Sequence, residues 1–63
     1  MPFIQVNMME GRDEQTKREL IQEVTETVSR VLKSPKERIR IQIIEVPKTN
    51  WGIAGETAKD LGR

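Results

Sequence analysis

The chain has 63 residues, with 11 Lys and Arg against 10 Asp and Glu for a net charge of +1, and it contains neither Cys nor His. That inventory excludes a disulfide framework, a thiol nucleophile, Ser-His and Cys-His triads, and the usual zinc ligands. At this size a core is seldom self-sufficient without disulfides, metal or partner chains, and the first two have no residues to build them.

Balanced charge without a like-charge run speaks against a nucleic-acid binder. Apolar runs of only a few residues speak against a membrane span, so a cytoplasmic protein without nucleic-acid or membrane partners is expected. From Phe3 to Met9 residues alternate, with Ile4, Val6 and Met8 on one face and Phe3, Gln5, Asn7 and Met9 on the other, which predicts a strand. Glu10-Gly11-Arg12 reads as a turn in which glycine takes a positive φ. From Asp13 to Lys33, Leu20, Ile21, Val24, Val28, Val31 and Leu32 recur at helical spacing. Asp13 and Glu14 suit the positive end of the helix dipole and Lys33 the negative end, with Glu14–Arg18 and Glu26–Arg30 as i,i+4 pairs. Ser34-Pro35-Lys36-Glu37 predicts a new helical turn, with Ser34 as cap and Glu37 closing a capping box.

Ile39 to Val46 predicts a second strand, with Ile39, Ile41 and Ile43 on one face and Arg40, Gln42, Ile44 and Val46 on the other, stopped by Pro47. The Asn50–Gly55 region predicts a small hairpin or hooked turn. The expected fold is a two-layer α/β (α+β) arrangement over residues 1–63 as a single domain. It consists of a β-α-β unit with parallel strands, a small C-terminal hairpin, and sheets completed by oligomerisation. The oligomer is expected because two strands and one helix leave a mixed apolar and polar sheet face uncovered.

Without His or Cys, proton transfer falls to carboxylates, Lys or the chain's own amino group. A small second residue generally permits removal of the initiator Met, which would leave Pro2 as a secondary amine on a rigid ring. Cations and burial would lower such an amine towards neutrality and make it a general base. The plainer alternative, a second residue with no role, is the commoner outcome and stays open. Arg12, after the first strand, and Arg40, within the second, could together grip a dianion and stabilise an enolate. They could equally be a solvated turn residue and an interface ion-pair partner. Trp51 could wall a pocket or anchor the tail. Glu10 and Glu45 are not paired by spacing, so a two-carboxylate mechanism has no support.

Met1-Pro2, the short strand, Glu10-Gly11-Arg12 followed by Asp13-Glu14-Gln15, Leu20-Ile21, Glu23-Val24, Pro35, Arg40-Ile41 and Trp51-Gly52-Ile53-Ala54-Gly55-Glu56 stand in an order that resembles the 4-oxalocrotonate tautomerase family across the whole chain. The resemblance implies a β-α-β homohexamer, a trimer of dimers, acting without cofactor or metal on a small acidic substrate. It implies an isomerase whose amino-terminal proline, Pro2 here, is the general base for proton transfer in a dienol such as 2-hydroxymuconate, giving 2-oxo-3-hexenedioate. Arg12 matches the arginine that holds the distal carboxylate. Arg40 matches the one that binds the 2-hydroxy and C1-carboxylate end and draws electron density, and the two reach one site from different subunits. Trp51 stands where the family commonly has Phe, an apolar wall, and its size could narrow the substrate range. Retained Met1 would make the Pro2 nitrogen an amide without basicity. Two other readings accompany this one: a proline-dependent hydratase or dehalogenase of an unsaturated acid, and a non-catalytic oligomeric module that keeps Met1.

Overall fold

The computed structural model describes residues 1–63 in the order β1 (Phe3–Met9), α1 (Glu14–Leu32), a 3-10 turn (Lys36–Arg38), β2 (Arg40–Val46), a second 3-10 turn (Lys48–Asn50), β3 (Gly52–Ile53) and β4 (Glu56–Thr57). β1 and β2 are parallel and in register from Phe3↔Arg40 to Met9↔Val46, while β3 and β4 form a separate antiparallel hairpin. The expected β-α-β unit and terminal hairpin are both present.

Each boundary has a local cause. Gly11 takes φ +130° in the turn after β1, a conformation that costs a side-chain-bearing residue strain but not glycine. Asp13 then caps the helix, its carboxylate accepting the Thr16 N–H at 2.8 Å. At the other end Lys33 is left-handed (φ 55°, ψ 41°) and its N–H donates to Ser29 O, as does the N–H of Ser34 at 3.2 Å. This ending overrides the predicted capping box. Ser34 is drawn back onto the helix, its carbonyl accepting the Ser29 hydroxyl at 2.7 Å, and Pro35 leads into the 3-10 turn with no side-chain cap.

Two more expectations are corrected. Glu14–Arg18 forms at 2.6 Å, but Glu26 bonds Lys36 of the 3-10 turn instead of Arg30, because the reversal at Lys33 brings that turn back alongside the helix. β2 starts at Arg40, one residue later than predicted, because the Ile39 N–H closes the 3-10 turn on Lys36 O.

Packing divides the predicted apolar stripe of α1. Leu20, Val24 and Val28 are half-buried, as are Ile4, Val6 and Met8 of β1 and Ile41 and Ile43 of β2, whereas Ile21, Val31 and Leu32 are exposed. Lys17 ties the helix to β2 through Glu45 at 2.9 Å. Only Ile39 and Ala58 are buried. The chain spans 42 × 24 × 13 Å, with a radius of gyration of 14.6 Å against about 11 Å for a compact domain of this length. Its accessible surface of 4943 Å² exceeds the roughly 4,200 Å² of a compact monomer of this mass. No helix is long and apolar enough to cross a membrane.

Candidate active site

Pro2 lies at the head of the parallel ladder. Its carbonyl accepts the Arg40 N–H at 3.0 Å, extending the pairing one step beyond Phe3↔Arg40, and its ring is half-buried. The constrained φ of proline and this bond fix where the nitrogen sits. Met1 is 84% exposed and packs on almost nothing.

The Arg40 side chain is exposed but held. Nη1 donates to Glu37 O at 2.6 Å and to Ile39 O at 3.3 Å, so the 3-10 turn at Lys36–Arg38 serves as a rest for the guanidinium. A guanidinium carries five N–H groups, and Nη2 and Nε have no partner in the chain, leaving one edge of the fork for a bidentate anion. The structure thus brings Pro2 and Arg40 together.

Arg12 is not brought to them. It follows the opposite end of β1, and a seven-residue strand at about 3.3 Å per residue puts roughly 20 Å between the two ends. Arg12 is exposed, without an ion pair. Trp51 also follows that opposite end, five residues after Val46, which pairs with Met9. Half-buried Trp51 accepts the Ala58 N–H on its carbonyl at 2.8 Å, which fastens the hairpin beneath it.

One chain therefore carries two partial constellations at opposite ends of a sheet, Pro2 with Arg40 at one and Arg12 with Trp51 at the other. Neither is enclosed. The single concavity, about 300 Å³, lies along the first turns of α1 and is lined by Glu14, Lys17, Arg18, Ile21 and Gln22, and neither Pro2, Arg40, Arg12 nor Trp51 lines it. Of the residues the sequence reading passed over, Glu37 contributes its backbone carbonyl, which a reading of side-chain types could not have found. Glu45 is engaged with Lys17 and takes no part.

Comparison with known proteins gives this arrangement a class. The family model described as "Tautomerase enzyme" matches residues 2–61. A 2-hydroxymuconate tautomerase of Comamonas testosteroni is 48% identical over 63 residues, the whole of both chains. A 4-oxalocrotonate tautomerase isozyme structure from Methylibium petroleiphilum superposes with a TM-score of 0.94 at 48% identity, covering 98% of this chain and 100% of that one. A heterohexamer 4-oxalocrotonate tautomerase from Chloroflexus aurantiacus gives 0.92 at 30% identity, covering 97% and 98%. The chain belongs to the tautomerase family, within its 4-oxalocrotonate tautomerase group. It is accordingly a keto–enol tautomerase, an isomerase, and the reading as a non-catalytic module falls.

Proposed function

We propose that the 63 residues act as one domain that ketonises a small acidic 2-hydroxydienoate of the 2-hydroxymuconate type, in the cytoplasm and without a cofactor, as a homohexamer. Pro2, freed of Met1, takes the 2-hydroxyl proton; the electrons of the diene shift so that the C2 oxygen becomes a ketone, and the proton is returned to C5. The double bond moves from C2–C3 and C4–C5 to C3–C4, giving the 2-oxo-3-enoate with no net change in atoms or charge. Arg40 lies against the C1-carboxylate and C2-oxygen end, where its donors stabilise charge gathering on oxygen. Arg12 of another copy holds the distal carboxylate, and Trp51, also of another copy, supplies an apolar wall that raises the cost of the ammonium form of Pro2.

The observation that carries this reading is the pairing of Pro2 with Arg40 at one end of the sheet and the separation of Arg12 at the other. A dianion can meet all three only where copies of the chain adjoin. The excess exposed surface of the isolated chain supports the same conclusion, as does an almost unpacked Met1 whose loss removes little contact. An acidic substrate is supported by Arg12 having no acidic partner in the chain and by the free edge of Arg40.

Ultraviolet absorbance of 2-hydroxymuconate ketonisation tests it, on protein whose first residue is verified by mass. Turnover should require a chain lacking Met1, and Pro2→Ala should lower kcat/KM by at least about 10²-fold, within the range general acid–base groups contribute. Arg40→Ala should lower kcat by about 10²-fold, and Arg12→Ala should mainly raise KM. Full activity in a chain that keeps Met1 would refute the proline mechanism.

A further inference from the structure

Arg38 has no assigned part in the reaction. It stands two residues before Arg40, on the far side of Ile39, whose extended backbone (φ −96°, ψ 132°) carries a side chain only 7% exposed. Arg38, the last residue of the 3-10 turn, and Arg40, the first of β2, flank that inward residue and are both exposed. The Arg40 guanidinium leans back onto Glu37 O, the carbonyl immediately preceding Arg38, so it reaches over the turn from which Arg38 projects.

The ionic neighbourhood leaves Arg38 free. Lys36 is taken by Glu26, Lys17 by Glu45 and Arg18 by Glu14, whereas Arg38 forms neither an ion pair nor a side-chain hydrogen bond, and the carboxylate of adjacent Glu37 pairs with neither arginine. An anion that bound both arginines would displace no carboxylate of the chain, since neither guanidinium has an acidic partner.

We propose that Arg38 is a specificity-determining residue that joins Arg40 in binding the carboxylate at the reacting end of the substrate, so that the site selects 2-hydroxy acids over enols lacking an adjacent carboxylate. This rests on the placement of Pro2 and Arg40 in the site proposed above. Arg38 adds binding energy common to ground and transition states, so it acts on KM and leaves the chemical step to Pro2 and Arg40.

The test uses the full assembled protein with its first residue verified. Calorimetric titration with muconate, which has the same carbon chain and both carboxylates but no 2-hydroxyl to react, is set beside kcat and KM for 2-hydroxymuconate. Arg38→Gln should weaken muconate binding and raise KM by about tenfold, the worth of one charge-assisted hydrogen bond, while kcat stays within twofold. It should also flatten the dependence of binding on salt, and Arg38→Lys should recover part of the loss. Unchanged affinity and KM in Arg38→Gln, with affinity lost in Arg40→Gln, would overturn the role of Arg38 and leave the site intact. A fall in kcat together with loss of the assembled mass would make Arg38 structural and overturn it too. Absence of muconate binding by the unaltered protein would count against both the site and Arg38.

Discussion

Asp13 shows how a single side chain can set where an element begins and how its stability responds to acid. Hydrogen bonding from Thr16, first from its side chain and then from its N–H, holds the Asp13 carboxyl below its ordinary value. A depressed folded value means that the carboxylate's contribution is complete above the unfolded aspartate value near ~4 and is lost as pH falls through the folded one. Asp13→Asn keeps an acceptor at the cap and removes the charge. Circular dichroism should therefore find thermal stability lowered by Asp13→Asn at pH 7 and the gap between the two proteins closing towards pH 2. At Gly11 the cost is conformational alone, since a methyl group there would meet nothing within 4 Å while φ is +130°. Gly11→Ala should destabilise by about 1–3 kcal/mol in chemical denaturation at fixed protein concentration.

At the scale of elements, the 3-10 turn at Lys36–Arg38 matters beyond its three residues. It closes on Ile39 behind it and supports the Arg40 guanidinium in front, so the start of β2 and the aim of an arginine are set together. Ile39 anchors that junction as one of two buried residues. Ile39→Ala should cost about 2–5 kcal/mol and should lower kcat as well, because the support for Arg40 shifts with it. The Lys17–Glu45 pair, by contrast, lies where both side chains keep nearly a third of their exposure. Glu45→Gln should cost no more than about 1 kcal/mol and leave turnover unchanged, which separates a tie between elements from a part of the site.

For the whole molecule, the decisive quantities are surface and extent. A chain 42 Å long with two buried residues leaves most of its apolar side chains only half-covered and Phe3, Ile21, Val31 and Leu32 exposed. Such a chain lowers its free energy by covering those faces with copies of itself. Sedimentation at micromolar concentration should give a single species near 44 kDa, six copies of 7.3 kDa, and activity should fall with dissociation on dilution. A folded, active 7.3 kDa monomer would contradict an active site shared between chains.

The alternation of Phe3–Met9, the three- and four-residue spacing through α1, and the breakers Gly11, Pro35 and Pro47 were enough to define both strands and the helix to within a residue or two, because these are local preferences that neighbouring residues express without help. The order of short segments from Met1-Pro2 to Trp51–Glu56 likewise carried the family. The partners of Glu26 and Ser34 were not legible, since each was decided by a left-handed residue at Lys33 that folds the chain back across its own helix. Nor could spacing disclose that Arg40 rests on a backbone carbonyl or that its N–H pairs with Pro2 O, so that the second strand begins beside the start of the first. Those relations depend on how strands pair and where a chain reverses, and they exist only in three dimensions.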